Sequence, residues 1–165
     1  MKASIPSGTL PKRTGAWWIA VALLTLGLPF PAFASLGDTS DSVQADQAQM
    51  KASLKITQAD AYTVHEMKAA TGTVVREYVS RSDERVFGIT WQGPFIPDMK
   101  QLLGTYFQQY SQAAKAQRES HVGRRPLNIQ EPGLVLQTAG HMRAFSGRAY
   151  DPGLLPAGIS SNDIR

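Results

Sequence analysis

The sequence predicts an α+β fold: an antiparallel sheet of about five strands, with one long amphipathic helix packed on it and a shorter N-terminal helix. Three observations predict it. Between Tyr62 and Trp91, three runs rich in β-branched and aromatic residues are separated by short polar turns, the pattern of an antiparallel meander. From Met99 to Ala114, apolar residues recur at helical spacing. After Leu127 short strand-like runs return, broken by Glu131-Pro132-Gly133 and Asp151-Pro152-Gly153.

In chain order, a helix is expected over Ser42 to Leu54, capped by Ser40 or Asp41. Tyr62 to Met67, Thr73 to Val79 and Arg85 to Trp91 are the meander strands, with Phe87, Ile89 and Trp91 sharing one face. Asp98 caps the strongest helix, with Gln101 three residues on as in a capping box. Leu102, Leu103, Tyr106, Phe107 and Tyr110 continue the apolar stripe that Met99 begins. Gly104 within it costs about 1 kcal/mol relative to alanine, and either lets another backbone come close or is simply tolerated. Arg118 and His121 favour the helix dipole near a stop at Gly123. Leu127 to Gln130, Leu134 to Thr138 and Met142 to Tyr150 are the remaining strand candidates, the last two turning at Ala139-Gly140-His141. Leu154 to Arg165 is a tail with a final helical turn at Ser160 to Ile164.

The first 34 residues have the layout of a secretory signal peptide. Lys2, Lys12 and Arg13 precede an uncharged, largely apolar run from Ala16 to Phe30, and Ala32-Phe33-Ala34 supplies the small residues of a cleavage site. The run is shorter than the roughly 20 apolar residues of a membrane span and ends at Pro29 and Pro31. The expected cut lies between Ala34 and Ser35, leaving residues 35–165 as one exported domain, periplasmic or extracellular, with no stable membrane anchor after cleavage. With no cysteine anywhere, disulfides and a lipid-bearing first residue are excluded. The chain carries a net +4, but without Lys2, Lys12 and Arg13 there remain 14 basic against 13 acidic residues. That near-neutral balance, with Arg124-Arg125 as its only basic doublet, excludes a nucleic-acid footprint.

Chemistry-bearing motifs are sparse. His65, His121 and His141 show no metal-ligand spacing, so no metal is expected, and no glycine loop suggests a phosphate-bearing cofactor. Ser146 in AFSGRAY lacks the first glycine of a nucleophile elbow, and no catalytic residue is assigned. The densest polar group is His141, Arg143, Arg148 and Tyr150. On an extended segment His141, Arg143 and Phe145 share one face, and Arg148 and Tyr150 the other. This is either a site for an anionic group or a charged edge that discourages sheet aggregation. The expected function is a non-enzymatic binding or interaction module of the cell envelope, with an envelope or secreted protein as partner. The alternatives are a small-ligand-binding protein or hydrolase using the His141, Arg143 and Tyr150 region, and an oligomeric structural or assembly factor.

Four stretches carry a resemblance: VREYVS (Val75 to Ser80), VFGITWQGPFIPDMKQLLGTYF (Val86 to Phe107), GHMRAFSGRAY (Gly140 to Tyr150) and LLPAGISSNDIR (Leu154 to Arg165). Together they resemble an exported bacterial family known only as a domain of unknown function, DUF2844. The resemblance covers most of the chain after the leader. It implies a bacterial exported protein and brings no activity and no catalytic residue with it.

Overall fold

The structure is a computed structural model in which residues 36–120 and 126–165 are described. The expected leader and its Ala34/Ser35 cut lie outside the described residues, as do His121, Gly123 and Arg124-Arg125.

One sheet organises the chain, and it has seven strands where about five were expected. Helix α1 (Asp41–Met50) leads into β1 (Ser53–Gln58), β2 (Tyr62–Lys68), β3 (Val74–Ser80) and β4 (Val86–Gly93). Helices α2 (Met99–Leu103) and α3 (Phe107–Glu119) follow, then β5 (Asn128–Glu131), β6 (Leu134–His141) and β7 (Ala144–Tyr150). The spatial order is β1-β2-β3-β4-β7-β6-β5, with every neighbouring pair antiparallel. Two meanders are thus joined through β4 and β7, the last strand of each.

The strand that sequence reasoning missed is β1. The expected helix over Ser42 to Leu54 stops at Met50, where Lys51 turns into the left-handed region at φ +47° and its N–H bonds to the Ala48 carbonyl. Leu54 and Ile56 then alternate with polar neighbours, but β1 is an edge strand and mostly exposed, so its alternation carries little hydrophobic contrast.

The single long helix is also two. Asp98 caps α2 as expected, its carboxylate accepting from the N–H groups of Lys100 (2.9 Å) and Gln101 (3.2 Å). At Gly104 the backbone takes φ +47° and ψ −116°, a conformation open essentially to glycine. A 3₁₀ turn over Gly104–Tyr106 restarts the chain as α3. The glycine is therefore a break point. It frees Tyr106 to reach the end of β7, where its hydroxyl donates to Asp151 Oδ2 at 2.5 Å. Burial, and then that bond, push the Tyr106 hydroxyl up to about 12.

The two sheet faces are covered by different material. The helices cover one, burying Val43, Leu102 and Leu103 against Val75, Ile89 and Trp91. Here the Trp91 ring lies across β7 at Gly147, where a Cβ would come within 2.2 Å of Cζ2. The C-terminal tail covers part of the other face. A bulge at Tyr78/Val79 sets Phe87 and Gly88 against Tyr78, and Phe87 stacks edge-on to Tyr62 at 5.8 Å. Ile164 then plugs the space over Gly88, whose missing Cβ would lie 2.9 Å from Ile164 Cδ1. Burying such a side chain contributes about 1.5–3 kcal/mol. The Tyr78 hydroxyl fixes the tail end, accepting from the Arg165 N–H at 3.0 Å and donating to the Arg165 oxygen.

Candidate functional site

The structure splits the predicted group of four in half. Arg148 and Tyr150 do share a face, with the Arg148 guanidinium 5.8 Å from the Tyr150 ring centre. Arg148 Nε donates to Gln137 Oε1 and Nη1 to the Ser161 carbonyl, both at 2.8 Å. His141 and Arg143 are elsewhere. His141 pairs with Ala144 at the end of β6, and the chain reverses over Met142-Arg143, with Arg143 at φ +64°. The expected turn at Ala139 to His141 is thus displaced to Met142-Arg143, and Arg143 lies exposed at a hairpin tip, off the strand. Two-residue hairpin turns usually advertise themselves with Asn-Gly or Asp-Gly, and Met-Arg does not.

Register builds a polar row across the tail-side face. Lys55 pairs with Glu66, Glu66 with Arg76, and Arg76 with Thr90. Thr90 pairs with Arg148, Arg148 with Gln137, and Gln137 with Asn128. All seven strands contribute one polar residue to this line. Arg76 Nε donates to Glu66 Oε2 at 2.7 Å. Thr90 lies between the two arginines, only 6% exposed, and its Oγ1 has no hydrogen-bond partner among the described residues. Beside the row is a cavity of about 330 Å³, lined by Arg76, Thr90, Gln92, Ser146, Arg148 and Arg165 among others.

A second, larger cavity of about 620 Å³ lies on the helix side. Trp91, Met99, Tyr110, Leu127 and Phe145 form much of its wall, and Ile96, His141 and Met142 also border it. Ile96 and Met142 are 54% and 83% exposed, so the border itself presents apolar side chains to solvent.

Beneath the helices is a pair of acids that sequence reasoning passed over. Glu77 of β3 and Asp46 of α1 are both fully buried, and their carboxyl groups lie close enough to interact. Gln101 Nε2 of α2 donates to Asp46 Oδ1 at 2.5 Å. Burial first, and then the Asp46 charge, push the Glu77 carboxyl well above its ordinary value. Neither Glu77 oxygen has a hydrogen-bond partner within bonding geometry among the described residues. A signal was present: Glu77 has the same parity as Val75 and Val79, which face the core. Its cross-strand neighbour is His65, whose pKa is lowered by burial and whose Nε2 lies 3.1 Å from Thr63 Oγ1. Among the described residues no three His, Cys, Asp or Glu side chains gather in a way that could hold a metal ion, and no helix is long and apolar enough to cross a membrane.

No curated protein and no solved structure matches the chain. A family model does, that of a protein of unknown function, over residues 32–164, and by that match the chain belongs to the DUF2844 family.

Proposed function

We propose that this is an exported, non-enzymatic binding protein of the cell envelope that takes an apolar small molecule or acyl chain into the helix-side cavity. One observation carries the reading: a cavity of about 620 Å³ with predominantly apolar and aromatic walls and His141 among its few polar groups. Small-ligand sites fall in the range of roughly 300–1,000 Å³ and combine apolar walls with a few polar groups that orient the ligand. Transfer of apolar surface from water into such a site is the driving force, and Met99 and Met142 supply side chains that adapt to an irregular occupant. Tyr110 and His141 are the titratable groups of the lining, which suits orientation better than multi-step proton transfer. Export rests on the leader-like residues 1–34.

The test follows the full-length chain through expression in a bacterial host. The periplasmic product should begin at Ser35; a cytoplasmic product that keeps residues 1–34 would remove the export half of the reading. Trp17 and Trp18 lie in the expected leader, so Trp91 is the one tryptophan of the processed form and borders the cavity. Titration with a fluorescent fatty-acid analogue should quench Trp91 saturably. Ile96→Glu and Met142→Glu, at exposed positions, should weaken binding about tenfold each while leaving the fold intact. No saturable binding, or binding indifferent to both variants, would end the proposal.

A further inference from the structure

A separate site lies on the opposite face of the sheet. We propose that the polar row binds an oxyanion, a carboxylate or phosphate group, received between Arg76 and Arg148 with an oxygen accepting from the Thr90 hydroxyl.

Three features carry this. The first is Thr90. A hydroxyl that is more than nine-tenths buried and without a partner costs stability, and native structures almost always satisfy such a group. Thr90 also borders the cavity of about 330 Å³, so a ligand there can supply the acceptor that the described residues do not.

The second is charge. Arg76 and Arg148 flank Thr90 on the two neighbouring strands. Adjacent strands lie about 4.8 Å apart, which sets the two arginine Cα positions about 10 Å apart, with Thr90 midway. Guanidinium forks reaching inward from both sides across that span suit a planar carboxylate or a tetrahedral phosphate. Arg165 also borders the cavity, its main chain held by the Tyr78 hydroxyl. Opposing them, the carboxylate that engages the row is Glu66, and it meets Arg76 at Nε.

The third is that both arginines are already anchored by hydrogen bonds. Arg76 is anchored through Nε to Glu66, and Arg148 through Nε to Gln137 and Nη1 to the Ser161 carbonyl. Both Nη groups of Arg76 and Nη2 of Arg148 have no hydrogen bond among the described residues. Anchoring the side chains beforehand lowers the conformational entropy lost on binding. A neutral ligand would leave this concentration of fixed positive charge unused. The two cavities have Trp91, Thr138, Ala139 and Ser146 in common, but Arg76, Thr90 and Arg148 border this one and not the helix-side cavity, and Ile96 and Met142 border the other and not this one.

Protein produced from the full-length chain would be titrated by amide NMR with inorganic phosphate, with acetate, and with vesicles of phosphatidylglycerol against phosphatidylcholine. The expected result is saturable shifts at Thr90, Arg148 and their neighbours, weakened by added salt. Thr90→Val, which keeps the shape, should weaken binding about tenfold, and Arg148→Gln by more. Binding of free phosphate or acetate would identify a small anion as sufficient. Binding confined to phosphatidylglycerol vesicles, with the same response to Thr90→Val, would identify an anionic headgroup. The proposal is overturned if no anion binds saturably, or if binding survives both variants with each folded as judged by its amide spectrum.

Discussion

Glu77 and Thr90 sit on neighbouring strands, one register step apart, and face opposite sides of the same sheet. Each puts a buried polar group where an alternating strand would ordinarily place an apolar one. The outcomes differ. Glu77 is sealed under α1 and α2 against Asp46, which in turn accepts from Gln101, so its surroundings come wholly from the fold. Thr90, only 6% exposed and without a hydrogen-bond partner among the described residues, instead borders a cavity lined by arginines. The difference teaches that burial alone does not distinguish structural from functional polarity. A group whose partners come from its own fold fastens elements together, here two helices to a sheet. A group whose hydrogen-bonding capacity points into open space is available to a ligand.

The largest effect should come from breaking the closed pair. Asp46→Ala strips the acceptor from the buried Gln101 amide and removes the carboxyl packed against Glu77. It should cost about 2–5 kcal/mol, read as a fall in the urea midpoint. An Asp46→Ala protein within about 1 kcal/mol of the parent would show that the pair fastens nothing.

Glu77→Gln sharpens the same point through pH. Because the Glu77 pKa is raised in the folded state, its stabilising contribution is complete below the ordinary carboxyl value of 4.5 and is lost as pH rises through the raised folded value. Glutamine is neutral throughout and still able to donate to Asp46. The variant should therefore be more stable than the parent at pH 7, on the order of 1–3 kcal/mol, with the gap closing towards pH 4. His65 works the other way: its pKa is lowered by burial, so its contribution is present above 6.5 and is lost as pH falls through the folded value. Thermal melts of parent and variant across this range separate the two groups.

On the open face the sign reverses. Thr90→Val removes a hydroxyl with no partner and keeps the volume, so stability should stay level or rise by up to about 1 kcal/mol. A loss above about 1 kcal/mol would mean that the hydroxyl is satisfied in solution, and the contrast with Glu77 would dissolve. The smallest effect belongs to Glu66→Gln. Its ion pair with Arg76 is partly exposed and should change stability by less than about 1 kcal/mol, while releasing Arg76 Nε and tightening phosphate binding severalfold.

Much of the fold was legible. The three meander strands, the Asp98 cap and the apolar stripe of the main helix all follow from periodicity and capping chemistry, which are local. What escaped has local causes too. In β1, an exposed edge, the alternation was too weak to outweigh a plausible helix. Met142-Arg143 lacks the residues that usually announce a tight hairpin turn. Of the candidate site, Arg148 and Tyr150 were placed correctly on a shared face because alternation along one strand suffices for that. Their true neighbours, Thr90 and Arg76, lie on strands 58 and 72 positions earlier, counting from Arg148.

By itself, then, the sequence determined the three meander strands, the Asp98 cap and the family to which the chain belongs, since each is written within a few turns of chain or in ordered stretches of it. The tertiary structure alone decided that β4 pairs with β7. That single pairing joins the two meanders and lines up Arg76, Thr90 and Arg148, and it sets the Trp91 ring across Gly147. Side-chain periodicity fixes which residues share a face within a strand. Which strands become neighbours is set by how the whole apolar surface is buried, and no local stretch of residues contains that sum.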